Sequence, residues 1–390
     1  MELWPTAFDV YDQCMKSVLK LLMDLVAIPS INPAFIDPGH AWAGERQIAQ
    51  FIGGLGEKNG LEVSWQEVLP ERSNVILRLL PSGKIKKRLL LAPHLDTVMV
   101  QDEGLLVPRQ VGRRLIGRGS CDTKGSVAVM LFSMLQLASA AARPKNTEII
   151  FVGLIDEENG QLGSRALVRN KFKADLAIVG EPTELQLVTA HKGDLWLRFE
   201  TRGKSAHGAR PELGENAVHE MSKVVCALEQ DYADLLRKRK NKVLGSPTIS
   251  VGVIAGGAQA NIVPDQCLML ADRRTIPGET ETMVKREILT LLKSKNIKVR
   301  FHNSKNAPCL PMETGLDHPW VKKMLGILDQ KDGHGVDYFC DASVLFHAGI
   351  PSVVFGPGNI AQAHTSDEWI EISQLEKGVQ ILRRFMAELP

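Results

Sequence analysis

Residues Arg88–Val98 read RLLLAPHLDTV, an apolar run that stops abruptly at a histidine and an aspartate. A short apolar run without polar alternation suits a strand covered on both faces, as in a parallel sheet. In open α/β sheets the chemistry gathers beyond the carboxyl ends of the strands, where His94 and Asp96 fall. A histidine with a carboxylate two places on is weak evidence alone. With 10 histidines and 45 acids in 390 residues, about one such pair arises by chance.

The arrangement recurs along the chain. EIIFVGLI (148–155) runs into Asp156, Glu157 and Glu158; LAIVG (176–180) runs into Glu181. PSVVFGPGNIAQAH (351–364) places His364 nine residues past its strand, and Asp122 in GRGSCDTKG (117–125) opens a long apolar stretch. Strands are predicted at 74–80, 88–93, 148–155 and 175–180, with helices at 14–27, 43–59 and 126–141. This alternation predicts an α/β domain with a mostly parallel sheet.

From about Thr189 the texture changes. Strands are predicted at 191–202, 247–254 and 267–273, and helices at 216–238 and 281–295. After Phe301 the first texture returns, with a helix at 318–330, a strand at 351–355 and a helix at 373–389. The economical division is a catalytic α/β domain of residues 1–186 and 302–390, interrupted by a smaller α+β domain at 187–301. Two sequential domains split near 187 are the alternative.

Lys and Arg number 47 against 45 Asp and Glu, and no block of like charge exceeds Arg237–Lys240, so a nucleic acid or acidic lipid partner is not expected. The opening MELWPTAFDVYDQ lacks the basic start and apolar run of a signal peptide. Gly125–Ala142 contains Ser and Gln and is short for a membrane span, so it is read as a buried helix. Six cysteines lie at least 31 residues apart, which points to free thiols and a cytoplasmic setting.

Taken singly, each acid after a strand is also what a helix cap or solvated loop looks like. Jointly, two histidines and several carboxylates at strand ends suit a pair of divalent metals. Imidazole–carboxylate ligation favours zinc, with cobalt or manganese as alternatives.

The ordered motifs HLDTV, GRGSCDTKG, DEE, GEPT and AHTSDE resemble the family of acetylornithine deacetylase, succinyl-diaminopimelate desuccinylase, aminoacylase-1 and glutamate carboxypeptidase. The resemblance spans essentially the whole chain. It implies a two-zinc catalytic domain and an inserted lid that mediates a homodimer. It implies that His94 and Glu181 hold one metal, Glu158 and His364 the other, and that Asp122 bridges them. Asp96 would orient His94, Glu157 would be the general base, and the Asp122–Thr123 peptide would be cis. In the insert, GKSAHGARPELGENA implies His207 as an oxyanion donor. Asn261 and Arg274 imply carboxylate binding, and Gly356 in GPG a pocket-shaping role or a structural turn. Arg274 is preferred to Arg273 because strand alternation separates the two.

Some features depart from the pattern. Met99 stands where the family often has proline, and Cys121 precedes the bridging aspartate, as a small buried side chain. GLGEKNG (54–60) lacks dinucleotide-loop spacing, and the GKS at 203–205 lacks the upstream glycine of a phosphate loop. The implied activity is hydrolysis of the amide bond of an N-acyl amino acid. The alternative is a metallo-exopeptidase, a carboxypeptidase or dipeptidase acting on short peptides. A metal-free binding protein is disfavoured, because every ligand position and Glu157 are present.

Overall fold

A computed structural model describes residues 17–139, 143–305 and 309–390. Residues 14–16 and 140–141, at the ends of two expected helices, lie outside the described residues. The chain forms two compact units. One comprises the described residues of 17–189, 314–334 and 340–390; the other comprises those of 190–313 and 335–339. Contacts thus put the passage into the second unit at 190 and the return at 314, beyond the 187 and 301 of the sequence reading, and add a short segment near 337.

The large sheet orders its strands Glu62–Leu69, Arg72–Leu79, Thr147–Gly153, Lys87–Pro93, Leu176–Gly180, Ser352–Val354 and Val188–His191, the last of which contains the crossover at 190. Lys87–Pro93 runs parallel to both neighbours, with Leu90 opposite Ile150 on one side and Ala177 on the other. Ser352–Val354 adds a further parallel pair, whereas the first two strands and Val188–His191 join antiparallel. All residues of Thr147–Gly153 and Leu176–Gly180 are buried, which is why these strands read as unbroken apolar runs.

Helix Lys124–Ser139 packs against Val18–Val26 and Ile372–Ala387. From Lys124 to Ala138 only Gln136 reaches the surface, so the apolar stretch is a core helix. No described helix is long and apolar enough to cross a membrane. Helices Leu162–Arg169 and Ala342–His347 pack on each other. A small antiparallel sheet, in the order Trp369–Glu371, Arg114–Ile116, Arg109–Val111, completes this unit.

The second unit is an antiparallel sheet ordered Thr248–Gly256, Gln266–Thr275, Gly193–Arg202 and Arg300–Asn303. Gln266–Thr275 alternates between buried and half-buried positions, sending Cys267, Met269, Ala271 and Arg273 inward. The core they enter also holds Met221, Val224, Val284 and Ile288 from the helices. The helix expected at 216–238 is Ala217–Cys226, a wider π-helical turn at Ala227–Tyr232, and Ala233–Arg237. Asn216 caps its start by accepting the N–H groups of Val218 and His219.

Candidate metal centre

His94 follows directly on Lys87–Pro93 and bridges to Leu154, just past the neighbouring parallel strand. Glu181 follows Leu176–Gly180 in the same way. Asp122 lies in the turn before helix Lys124–Ser139, where the Asp122–Thr123 peptide is cis. Three strand ends and a helix start therefore converge on one edge of the sheet.

His94 Nε2 lies 3.2 Å from Asp122 Oδ1 and 3.9 Å from Glu181 Oε1. His364 Nε2 lies 3.0 Å from Glu158 Oε2 and 3.4 Å from Asp122 Oδ2. Two donor triads result, His94–Asp122–Glu181 and Asp122–Glu158–His364, each compact enough to hold one ion and sharing Asp122. Asp122 presents a different oxygen to each histidine.

Burial pushes the Glu158 carboxyl up to about 7, with the nearby Asp122 adding and His364 opposing. It also pushes Glu157 and Glu181 well above the carboxylate range. Burial alone would raise Asp122, but hydrogen bonds from His364 and His94 hold it below that range. Glu158 Oε1 and Glu181 Oε1 are buried and, among the described residues, have no hydrogen-bond partner. An acid-rich buried cluster with two orphaned oxygens and two imidazoles fits a pair of divalent cations, which would offset the charge and take up those oxygens.

Asp96 faces His94 and also anchors the neighbouring loop. The nearest acceptor to His94 Nδ1 is the backbone carbonyl of Asp96 at 3.0 Å, and its carboxylate lies at 3.5 Å. That carboxylate also accepts the backbone N–H groups of Glu157 and Glu158, both at 3.0 Å, and the Asn32 amide at 2.8 Å. Asp156 turns the chain here with φ of 66°, held by Asn32 at 3.0 Å and Arg72 at 3.2 Å. The turn lets adjacent Glu157 and Glu158 diverge, and Glu157 belongs to neither donor triad.

In the second unit, His207 pairs with Ile262 in a short bridge, and Gly208 donates to the Asn261 carbonyl at 2.7 Å. His207 and Asn261 are thus neighbours, both exposed. The His207 Nδ1 accepts the Ala209 N–H, which makes Nε2 the protonated nitrogen of the neutral ring. Arg273 is wholly buried and paired with Glu279 at 2.7 Å. Arg274, on the opposite face, is part-exposed and forks onto Asp272 at 2.8 and 3.0 Å. Gly356 is closely packed in its turn. Its N–H donates to Thr183, its carbonyl accepts from Thr183 and Leu185, and a Cβ there would meet Ser126 Oγ at 2.2 Å.

Sequence reasoning passed over Asn32, Glu368 and Asp341. Asp341 is buried, accepts from Ser164 at 2.5 Å, and is pushed by burial up to about 7. Glu368 was inside the quoted AHTSDE motif, where an acid directly before the apolar pair Trp369-Ile370 was the available signal.

Comparison with known proteins resolves the family. The model of peptidase family M20/M25/M40 matches residues 90–388. The chain belongs to this family. It is a hydrolase of a metal-dependent family, as its motifs implied. Acetylornithine deacetylase of Vibrio cholerae is 30% identical, covering 95% of this chain and 98% of that protein. The Myxococcus xanthus enzyme of the same name is 29% identical, over 81% of this chain and 84% of its own. Among solved structures, aminopeptidase PepT from Bacillus cereus superposes with a TM-score of 0.76 at 20% identity, covering 96% and 98% of the two chains. A metallo-carboxypeptidase from Sulfolobus solfataricus gives 0.73 at 18%, covering 95% and 99%. These structural likenesses speak for the fold.

Proposed function

We propose that this chain is a two-metal amidohydrolase, with zinc preferred and cobalt or manganese as alternatives, that removes the acyl group from an N-acyl amino acid. The observation that carries the reading is the near full-length similarity to acetylornithine deacetylase. His94 and Glu181 would hold one ion, Glu158 and His364 the other, with Asp122 between them. Such a pair supplies Lewis acidity toward an amide carbonyl and makes a water easier to deprotonate at neutral pH.

Glu157 is the general base, taking the proton from the attacking water and returning it to the leaving nitrogen. Its backbone is pinned by Asp96, and its elevated proton affinity suits both halves of that transfer. Water adds to the carbonyl carbon, the C–N bond breaks, and a carboxylate and an amine leave. His207, from the second unit, offers Nε2–H to the developing oxyanion. Asn261 and Arg274 receive the substrate's α-carboxylate, the guanidinium through its bidentate fork.

The reading includes a lid role for the second unit and a homodimer formed through it. Thr248–Gly256 is an edge strand there, with Val253 and Ile254 each about half exposed. It also includes a cytoplasmic setting, consistent with the free thiols of Cys121, Cys226, Cys267 and Cys340. Assaying N-acetyl and N-succinyl amino acids, N-acetylornithine among them, beside dipeptides with metal content measured on the same sample tests it. Acyl amino acids should show the higher kcat/KM; higher values for dipeptides would overturn the deacylase reading in favour of an exopeptidase.

A further inference from the structure

Glu368 is wholly buried, and each of its carboxylate oxygens accepts two hydrogen bonds. Oε1 takes the backbone N–H groups of Cys121 at 2.8 Å and Asp122 at 2.9 Å. Oε2 takes the Gly119 N–H and Arg118 Nη1, both at 2.8 Å. Three amides of one turn therefore converge on one side chain from 246 or more residues away, an anion-binding nest filled from within the protein.

The small sheet delivers that side chain. Trp369 pairs with Ile116, and one step on, the Gly117 N–H donates to the Glu368 carbonyl at 3.0 Å. The Arg118 guanidinium reaches the other way. Its Nη2 donates to the carbonyls of Thr365 at 3.0 Å and Met99 at 3.3 Å. Thr365 follows His364, whose backbone sits in the left-handed region at φ 62° and whose ring is more than half exposed. A side chain on such a segment keeps its place only if the backbone beside it is held.

We infer that Glu368, together with Arg118, is a positioning residue for the metal centre. It fixes the turn carrying Asp122 and ties that turn to the segment carrying His364. Asp122 faces His94 with one oxygen and His364 with the other, so its backbone placement sets both donor triads. The inference rests on the two-metal reading above. A glutamine at 368 keeps shape and volume but replaces one acceptor with a donor. That donor would oppose either Gly119 N–H and Arg118 or the amides of Cys121 and Asp122. Partners behind a ligand typically matter about 10–100-fold in metal affinity.

The test is a Co²⁺ titration of metal-stripped wild type and Glu368→Gln, followed by visible absorption, with circular dichroism on the metal-free samples. The variant should keep the wild-type fold, bind both ions about tenfold or more weakly, and show altered d–d bands. Unchanged affinities and spectrum in a folded variant overturn the inference. If the glutamine variant does not fold, Arg118→Lys takes its place, keeping a cation for Glu368 while losing the reach to Thr365. One of its two binding steps should then weaken, and two wild-type steps would overturn the inference. A wild type that takes up fewer than two ions defeats the two-metal reading itself, a result separate from any effect of the variants.

Discussion

The carboxylate of Asp96 accepts the backbone N–H of Glu157 at 3.0 Å, and its other oxygen accepts that of Glu158 at the same distance. One buried aspartate thereby fixes the turn on which two adjacent glutamates separate, Glu158 toward His364 and Glu157 toward neither triad. Glu157→Gln leaves this backbone anchoring intact. It should retain fold and metal content while lowering kcat by ~10²–10⁴, the usual worth of a positioned base. Steady-state kinetics beside metal analysis checks this, and near-normal turnover would remove Glu157 from the role.

Asp122→Asn should act on metal content instead. Asp122 contributes to both donor triads, so the weaker amide ligand penalises both ions together. Elemental analysis after dialysis is expected to show well under two equivalents, against two for wild type. Chelation of wild type should abolish activity, with zinc or cobalt restoring it. Two equivalents retained in the variant would contradict the bridging assignment.

Arg274→Ala should raise KM chiefly for substrates with a free α-carboxylate, because the lost contact is a charge-assisted pair to that group. Amidated substrates should change little. Equal loss for both would assign Arg274 to supporting the strand through Asp272.

Asp341 should make the stability of the metal-free protein fall as pH rises. Burial pushes its carboxyl from 3.8 up to about 7, so the folded state binds a proton that the unfolded state has released. Its stabilising contribution is full below about pH 4 and is lost as pH rises to about 7. Asp341→Asn keeps an acceptor for the Ser164 hydroxyl and removes the titration. Relative to this variant, metal-free wild type should lose melting temperature between pH 4 and 7, by an amount on the order of several degrees. Parallel melting curves over that range would place the proton elsewhere.

Much of the candidate centre was readable because several of its donor residues follow strands whose burial leaves an unmistakable apolar run. His94 and Glu181 are the plainest cases. Periodicity could not find Glu62–Leu69, since EVSWQEVL is an edge strand with a largely exposed, polar surface. Nor could it find Arg114–Ile116 or Trp369–Glu371, which are too short to show a period. Those strands deliver Glu368, so the support behind Asp122 was hidden together with them. The resemblance implied a partner for His94 in Asp96, but not that its carboxylate also serves amides more than 60 residues away. Long-range hydrogen bonds of this kind leave no mark on neighbouring residues.

His207 offers the most decisive test, because it lies in the other compact unit and far in sequence from every proposed ligand. Under the proposal above, the second unit of the partner subunit delivers it to the metal centre. A donor delivered by closure acts on the transition state more than on binding. His207→Ala and Glu157→Ala homodimers should therefore both be nearly inactive. Mixing the two variants by unfolding and refolding yields about half mixed dimers by random two-fold assembly. If His207 acts in trans, each mixed dimer has one site with both groups intact and one with neither, so activity recovers to about a quarter of wild type. If His207 acts within its own chain, every site lacks one group and nothing recovers. Native mass spectrometry that confirms mixed dimers without recovered activity would rule out the trans arrangement.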